Sequence, residues 1–223
     1  MRFGIVRFPA SNCEQDVAHA VTCLGHEYSY IWHQDTDLGA VDAVVLPGGF
    51  SYGDYLRCGA VARFSPIMGE VKRFADAGRP VLGICNGFQI LTEAHLLEGA
   101  LLRNRGLKFI CKEVPLTVEA SCDWLGLAKG TQISLPINHN EGNFVCDLDV
   151  LKRLQDNEQI IVRYADEQAP NGALDRIAGI CNEKRNVFGL MPHPERVVDP
   201  LSGNTDGQAF FTSVAAMIQQ MGA

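Results

Sequence analysis

The sequence contains no apolar run approaching the ~18 residues that a bilayer-spanning helix needs. Its start, Met1-Arg-Phe-Gly-Ile-Val-Arg-Phe-Pro9, lacks the apolar core and cleavage site of a secretory signal and reads as a short strand. No two cysteines form a C-x-x-C pair, and no cysteine–histidine pattern marks a metal site. The eight thiols (Cys13, Cys23, Cys58, Cys85, Cys111, Cys122, Cys146, Cys181) are scattered, which implies reduced cysteines in a cytoplasmic protein, most of them small core hydrophobes. Positive charge is also in deficit: 19 basic against 26 acidic residues leave a net charge of −7, which argues against non-specific binding of nucleic acid or an acidic membrane. Neither glycine-rich stretch, Pro47-Gly-Gly-Phe50 or Gly53–Gly59, fits a phosphate loop or a dinucleotide fingerprint, so no cofactor or metal is expected in this chain. Repeats, low-complexity segments and linker-like composition are missing too, and the expectation is one domain over residues 1–223.

What is present is an ordinary globular composition, 47% hydrophobic and 20% charged, arranged in alternating strand and helix patterns. Phe3–Val6 predicts a first, central strand, with Ser11 or Asn12 capping a helix from about Cys13 to Leu24 that Gly25 ends. Tyr28–Trp32 and Ala43–Leu46 predict two more strands. A helical pattern over Val61–Ala77 is interrupted at Ser65-Pro66. After Leu102 the patterning changes. Cys111–Ala120 and Thr131–Pro136 alternate like antiparallel strands, Leu148–Gln155 suits a short helix, and Ile160–Tyr164 a strand. Ile177–Cys181 and Val187–Met191 read as a hairpin, and Asp206–Met221 as a closing helix. The fold expected is α/β: a flavodoxin-like, open, mostly parallel sheet with helices on both faces and a partly antiparallel extension from the C-terminal half. Loops after the first, third and fourth strands would then meet at the carboxyl ends, where such sheets place their sites.

The strand Val81–Ile84 runs into a helical pattern from Gly87 to Leu97, which leaves Cys85 on the turn between them with a glycine two residues to either side. A thiol there faces unpaired helix N–H groups, which favour negative charge on sulfur, and the Asn86 N–H would point at an oxyanion formed on an attacked carbonyl. On these residues alone, a buried core cysteine is as good a reading as a nucleophile. A nucleophile needs a base and a group that orients the base. In Met191-Pro-His-Pro-Glu195 the prolines favour an extended backbone, which puts His193 and Glu195 on one face. Gly49, at the end of the third strand, can bring a second oxyanion donor close. His139, in a polar loop after a strand, is a candidate contact for substrate or partner. The aromatic loop Phe50–Arg57 suits a cover for the Cys85 pocket or a docking surface.

Together, Pro47-Gly-Gly49, Gly83-Ile-Cys-Asn-Gly-Phe-Gln89 and His193-Pro-Glu195 resemble the class I (triad) glutamine amidotransferases. Within that class, Gly48–Ala60, Cys85–Leu91, His139–Phe144 and Met191–Arg196 run in the order of one subfamily and are similar to the small glutaminase subunits of phosphoribosylformylglycinamidine (FGAM) synthase. The resemblance covers nearly the whole chain. It implies Cys85 as nucleophile toward L-glutamine, His193 held by Glu195 as acid and base, Gly49 and Asn86 as oxyanion donors, and Gln89 as a glutamine contact. It also implies a large synthetase partner that uses ATP and magnesium, a small accessory subunit, and no nucleic-acid or membrane partner. Asn138 and Asn140 depart from the smaller residues that the pattern places around the histidine. A free-standing thiol hydrolase, such as a γ-glutamyl hydrolase, is the alternative, and the long subfamily motifs argue against it.

Overall fold

The computed structural model describes residues 1–120 and 125–221, with side chains to residue 218; Cys122 and the Met221 side chain therefore lie outside the described residues. The first half runs β1 (Arg2–Arg7), α1 (Glu14–Cys23), β2 (Glu27–Trp32), β3 (Ala43–Leu46), α2 (Ile67–Asp76), β4 (Val81–Ile84) and α3 (Asn86–Glu93). The second half runs β5 (Ala100–Leu102), β6 (Ile110–Val118), β7 (Gln132–His139), β8 (Asn143–Val145), α4 (Leu148–Asp156), β9 (Ile160–Tyr164), β10 (Ile177–Cys181), β11 (Val187–Leu190) and α5 (Gln208–Met221).

Nine strands form one sheet in the order β2-β1-β3-β4-β11-β10-β9-β6-β7. Its first five strands are parallel and the rest pair antiparallel. The composition explains this division. The strands β3 and β4 are short apolar runs buried at every residue, as parallel strands covered on both faces must be. By contrast β7 alternates buried and half-exposed residues. It is an edge strand, which is where the sheet can accommodate Pro136 without losing a ladder donor. Helices do cover both faces. Phe188 of β11 stacks on Phe210 of α5 at 5.8 Å, whereas a Cβ on the next residue, Gly189, would run into Phe88 of α3. Consecutive strand residues point to opposite faces, so α3 and α5 lie on opposite sides of the sheet. Full burial of Phe88, Phe210 and Phe211 contributes roughly 2–3 kcal/mol each.

Several expectations are corrected. The strand β1 is flanked on both sides but stands next to the edge strand β2, so β3 rather than β1 is central to the parallel part. Neither Ser11 nor Asn12 caps α1: the Ser11 hydroxyl accepts from the Phe8 N–H at 3.1 Å, Asn12 accepts from the Cys13 thiol at 3.2 Å, and Cys13 holds the cap position. The elbow helix stops at Glu93, because His95 turns to φ 56°, although Leu97 remains buried beyond it. The two-stranded antiparallel sheet β5–β8 carries no sequence signal, since three-residue strands have no readable period.

Candidate active site

Cys85 links β4 to α3 with φ 51° and ψ −103°, a conformation that costs a non-glycine residue about 1–3 kcal/mol and needs its surroundings to enforce it. Two contacts do so. The Cys85 N–H donates to the Leu190 carbonyl at 2.8 Å, which fixes the turn to the end of β11. Gly87 lies so close to the Leu46 carbonyl that no Cβ fits, so the helix start is pressed onto the end of β3. The thiol is 5% exposed and lies 3.9 Å from the Asn138 carbonyl.

His193 and Glu195 come from the segment after β11 and are buried, joined by a 2.6 Å contact between Nδ1 and Oε1. They meet through a single turn over Pro194–Arg196 rather than through the extended segment expected from the prolines. The contact fixes the tautomer and leaves Nε2 without a hydrogen-bond partner among the described residues. Burial opposes charge on the His193 imidazole. The Glu195 carboxylate, and then the Cys85 and Cys13 sulfurs, outweigh it and raise His193 well above the ordinary histidine range.

The loop after β3 reaches the same place, for a Cβ on Gly48 would stand 2.7 Å from His193 Cε1. Gly49, at φ 147°, bridges to Ser11 through bonds made by the neighbouring Phe50 N–H to Ala10 and Cys13 N–H to Gly48, so its own N–H is not used there. Asn86 opens α3, and its Oδ1 accepts from the Ser51 N–H at 3.1 Å, tying this loop to the elbow. Gln89 is buried. It accepts from Asn86 Nδ2 at 2.9 Å and donates to the Glu141 carbonyl, so its amide also joins the elbow helix to the segment after β7.

His139 is not in a loop. It is the last residue of β7, paired with Ile110, and 3% exposed. Asn104 holds it, with Oδ1 3.1 Å from Nδ1 and Nδ2 donating to its carbonyl at 3.0 Å. Burial, followed by the positive charge of His193, lowers His139 to about 4. The 51–59 loop closes over this region. The Cys58 N–H approaches Glu141, and Arg57 forms a two-pronged pair with buried Glu93 at 2.6 and 2.7 Å. Burial raises the Asp54 carboxyl, and burial followed by Asp54 pushes the Cys58 thiol far up. Tyr55 and Leu56, at 71% and 81% exposed, face outward.

Sequence reasoning missed two groups. Cys13 Sγ lies within 4.8 Å of the His193 and Glu195 ligand atoms and accepts from Arg196 Nη2 at 3.3 Å. Its position in the loop after β1 was the available signal. Asn104, fully buried behind His139, carried none. A cleft of about 530 Å³ lined by Asp76, Leu97, Glu98 and Lys184 lies by the amino ends of β4 and β11, away from Cys85. Cys85 and His193 lie at the other end of the sheet, after the carboxyl ends of β4 and β11.

An elbow thiol beside a buried imidazole–carboxylate pair on an open α/β sheet is the arrangement of the cysteine-dependent glutamine amidotransferases. The family model of the CobB/CobQ-like glutamine amidotransferase domain matches residues 1–219, and the chain belongs to that family. Within it, the chain is 56% identical over 214 residues to phosphoribosylformylglycinamidine synthase subunit PurQ of Trichormus variabilis, covering 95% of each chain. It is 54% identical over 218 residues to the PurQ subunit of Rubrobacter xylanophilus, covering 97% of this chain and 98% of the relative. Among solved structures, a chain of PurLQS from Thermotoga maritima superposes with a TM-score of 0.88 at 44% identity, over 97% of this chain and 98% of that one.

Proposed function

We propose that Cys85, His193 and Glu195 form the working triad of this chain, which is the glutaminase subunit of phosphoribosylformylglycinamidine synthase in purine biosynthesis. The observation that carries the site reading is the buried 2.6 Å His193–Glu195 contact beside the strained Cys85 elbow. Residues 1–223 act as one glutaminase domain. Its partners are the large PurL and small PurS subunits, as in the PurLQS complex.

The reaction follows from the groups present. Cys85 sulfur attacks the side-chain amide carbon of glutamine with His193 Nε2 already carrying the proton that the thiol gives up, and the carbonyl oxygen becomes an oxyanion facing the Gly49 and Asn86 N–H groups. His193 returns that proton to the amide nitrogen. The carbon–nitrogen bond breaks, ammonia leaves, and a γ-glutamyl thioester remains on Cys85. Water then gives a proton to His193 as its oxygen attacks the thioester, and the sulfur takes that proton back as glutamate departs. Glu195 holds the imidazole in the required tautomer and stabilises its cation. Gln89 and His139 border the glutamine pocket. The ammonia goes to the synthetase subunit, where ATP and magnesium act, in the cytoplasm. Contact between the outward-facing 51–59 loop and that partner completes the site, so the isolated chain is slow. Ammonia release from glutamine, measured with and without the partner subunits, tests this: stimulation by the partners is expected. Turnover of the lone chain at the full rate of the complex would contradict it.

A further inference from the structure

We propose that His19, Cys23 and Asp199 form a surface binding site for a divalent ion of the zinc class. His19 and Cys23 are four residues apart on α1 and so share one face, a spacing not recognised from the sequence alone. Asp199 meets them from the segment that follows the triad turn. His19 Nε2 lies 3.4 Å from Cys23 Sγ and 3.3 Å from Asp199 Oδ2, and Sγ to Oδ2 is 3.9 Å. A tetrahedral ion with bonds of ~2.3 Å to sulfur and ~2.0 Å to nitrogen and oxygen separates its ligand atoms by about 3.3–3.6 Å. Two edges already match in length; Sγ also lies 3.9 Å from His19 Nδ1, so rotations of the exposed Cys23 and His19 side chains aim Nε2 at the ion and close the third edge. The carboxylate is oriented for this role, because its other oxygen, Oδ1, accepts from the Leu201 N–H at 2.9 Å and fixes the turn. Imidazole, thiolate and carboxylate together suit zinc, cobalt(II) or nickel(II) rather than magnesium or calcium. The fourth position opens to solvent.

The ion would pin the C-terminal half of α1 to the chain four residues beyond Glu195. Arg196 already ties the start of the same helix to this segment through Asp16 and Cys13. The site is therefore a second fastening of the segment that carries His193 and Glu195, separate from the reacting atoms.

The test is a titration of the metal-free chain with cobalt(II) alone, followed by the thiolate-to-cobalt charge-transfer band. One equivalent should saturate the band. Cys23→Ser should abolish it, Asp199→Asn and His19→Ala should weaken binding by about tenfold or more, and Cys111→Ser should leave it unchanged. One equivalent of zinc should raise Tm in the wild-type chain but not in Cys23→Ser. A band that is absent from the wild type, or that persists in Cys23→Ser, would overturn the proposal. An unchanged Tm in the wild type on adding zinc would overturn the fastening role.

Discussion

The parallel and antiparallel halves of the sheet make different contributions to the same site. The strands β3 and β4 are buried on both faces, and their ends are fixed so tightly that Cys85 is held in a strained turn. The antiparallel half supplies polar groups from strand ends and turns: His139 closes β7, and His193 and Glu195 follow β11, the boundary strand that pairs parallel with β4 and antiparallel with β10. Rigid packing holds Cys85, and hydrogen bonds hold His193 and its neighbours. The two halves meet at β11, where the Cys85 N–H binds the Leu190 carbonyl, and the His193 N–H then binds the Pro136 carbonyl of β7, both at 2.8 Å.

Mutations separate the two contributions. On the antiparallel side, His193→Ala should lower glutamine hydrolysis by about 10⁴-fold or more, as loss of a triad base does elsewhere. Glu195→Gln keeps the shape but not the charge, and its cost should be on the order of 10²–10⁴-fold in kcat. On the parallel side, Gly87→Ala drives a methyl group into the Leu46 carbonyl, so loss of folded protein on a denaturant gradient should accompany loss of activity. Loss of activity in Gly87→Ala with unchanged stability would contradict a packing role for Gly87.

Two pH dependences sharpen the comparison. His139 falls from its ordinary 6.5 to about 4 on folding, so the unfolded chain binds the extra proton between those values. Its stabilisation is therefore present above pH 6.5 and is lost as pH falls toward 4, by about 3 kcal/mol. A His139→Gln variant should show a flatter acid limb in denaturant unfolding. His193 has the opposite sign. Its raised value gives stability that is complete below the ordinary histidine range and is lost as pH rises through the folded value. Glu195→Gln should remove that alkaline slope. The smallest effect belongs to the outward-facing loop: Tyr55→Ala should leave the rate of the isolated chain unchanged and reduce stimulation by the partner subunits severalfold.

The parallel half was largely legible in the sequence, because buried strands and amphipathic helices each leave a local pattern, although the cap of α1 was not among the legible features. The elbow was read from the strand Val81–Ile84, the helical pattern from Gly87 and the glycines flanking Cys85, whereas its φ of 51° is seen only in the structure. The antiparallel half was less legible. The strand β7 continues past Pro136 to His139 because it pairs with β6 at an edge, a long-range condition that no local window carries. The His193–Glu195 contact was foreseen on the wrong geometry, since a short turn puts residues two apart together as well as an extended segment does. Asn104 and Cys13 reach the site through tertiary packing alone. The motif resemblance named the reaction, but it did not reveal which groups stand behind the histidines.

The most direct test of the central claim uses the assembled synthase carrying Cys85→Ala, assayed with glutamine and separately with an ammonium salt. If Cys85 carries the glutaminase step, glutamine-dependent synthesis is lost while ammonium-dependent synthesis persists. Glutamine-dependent synthesis at the wild-type rate would contradict it.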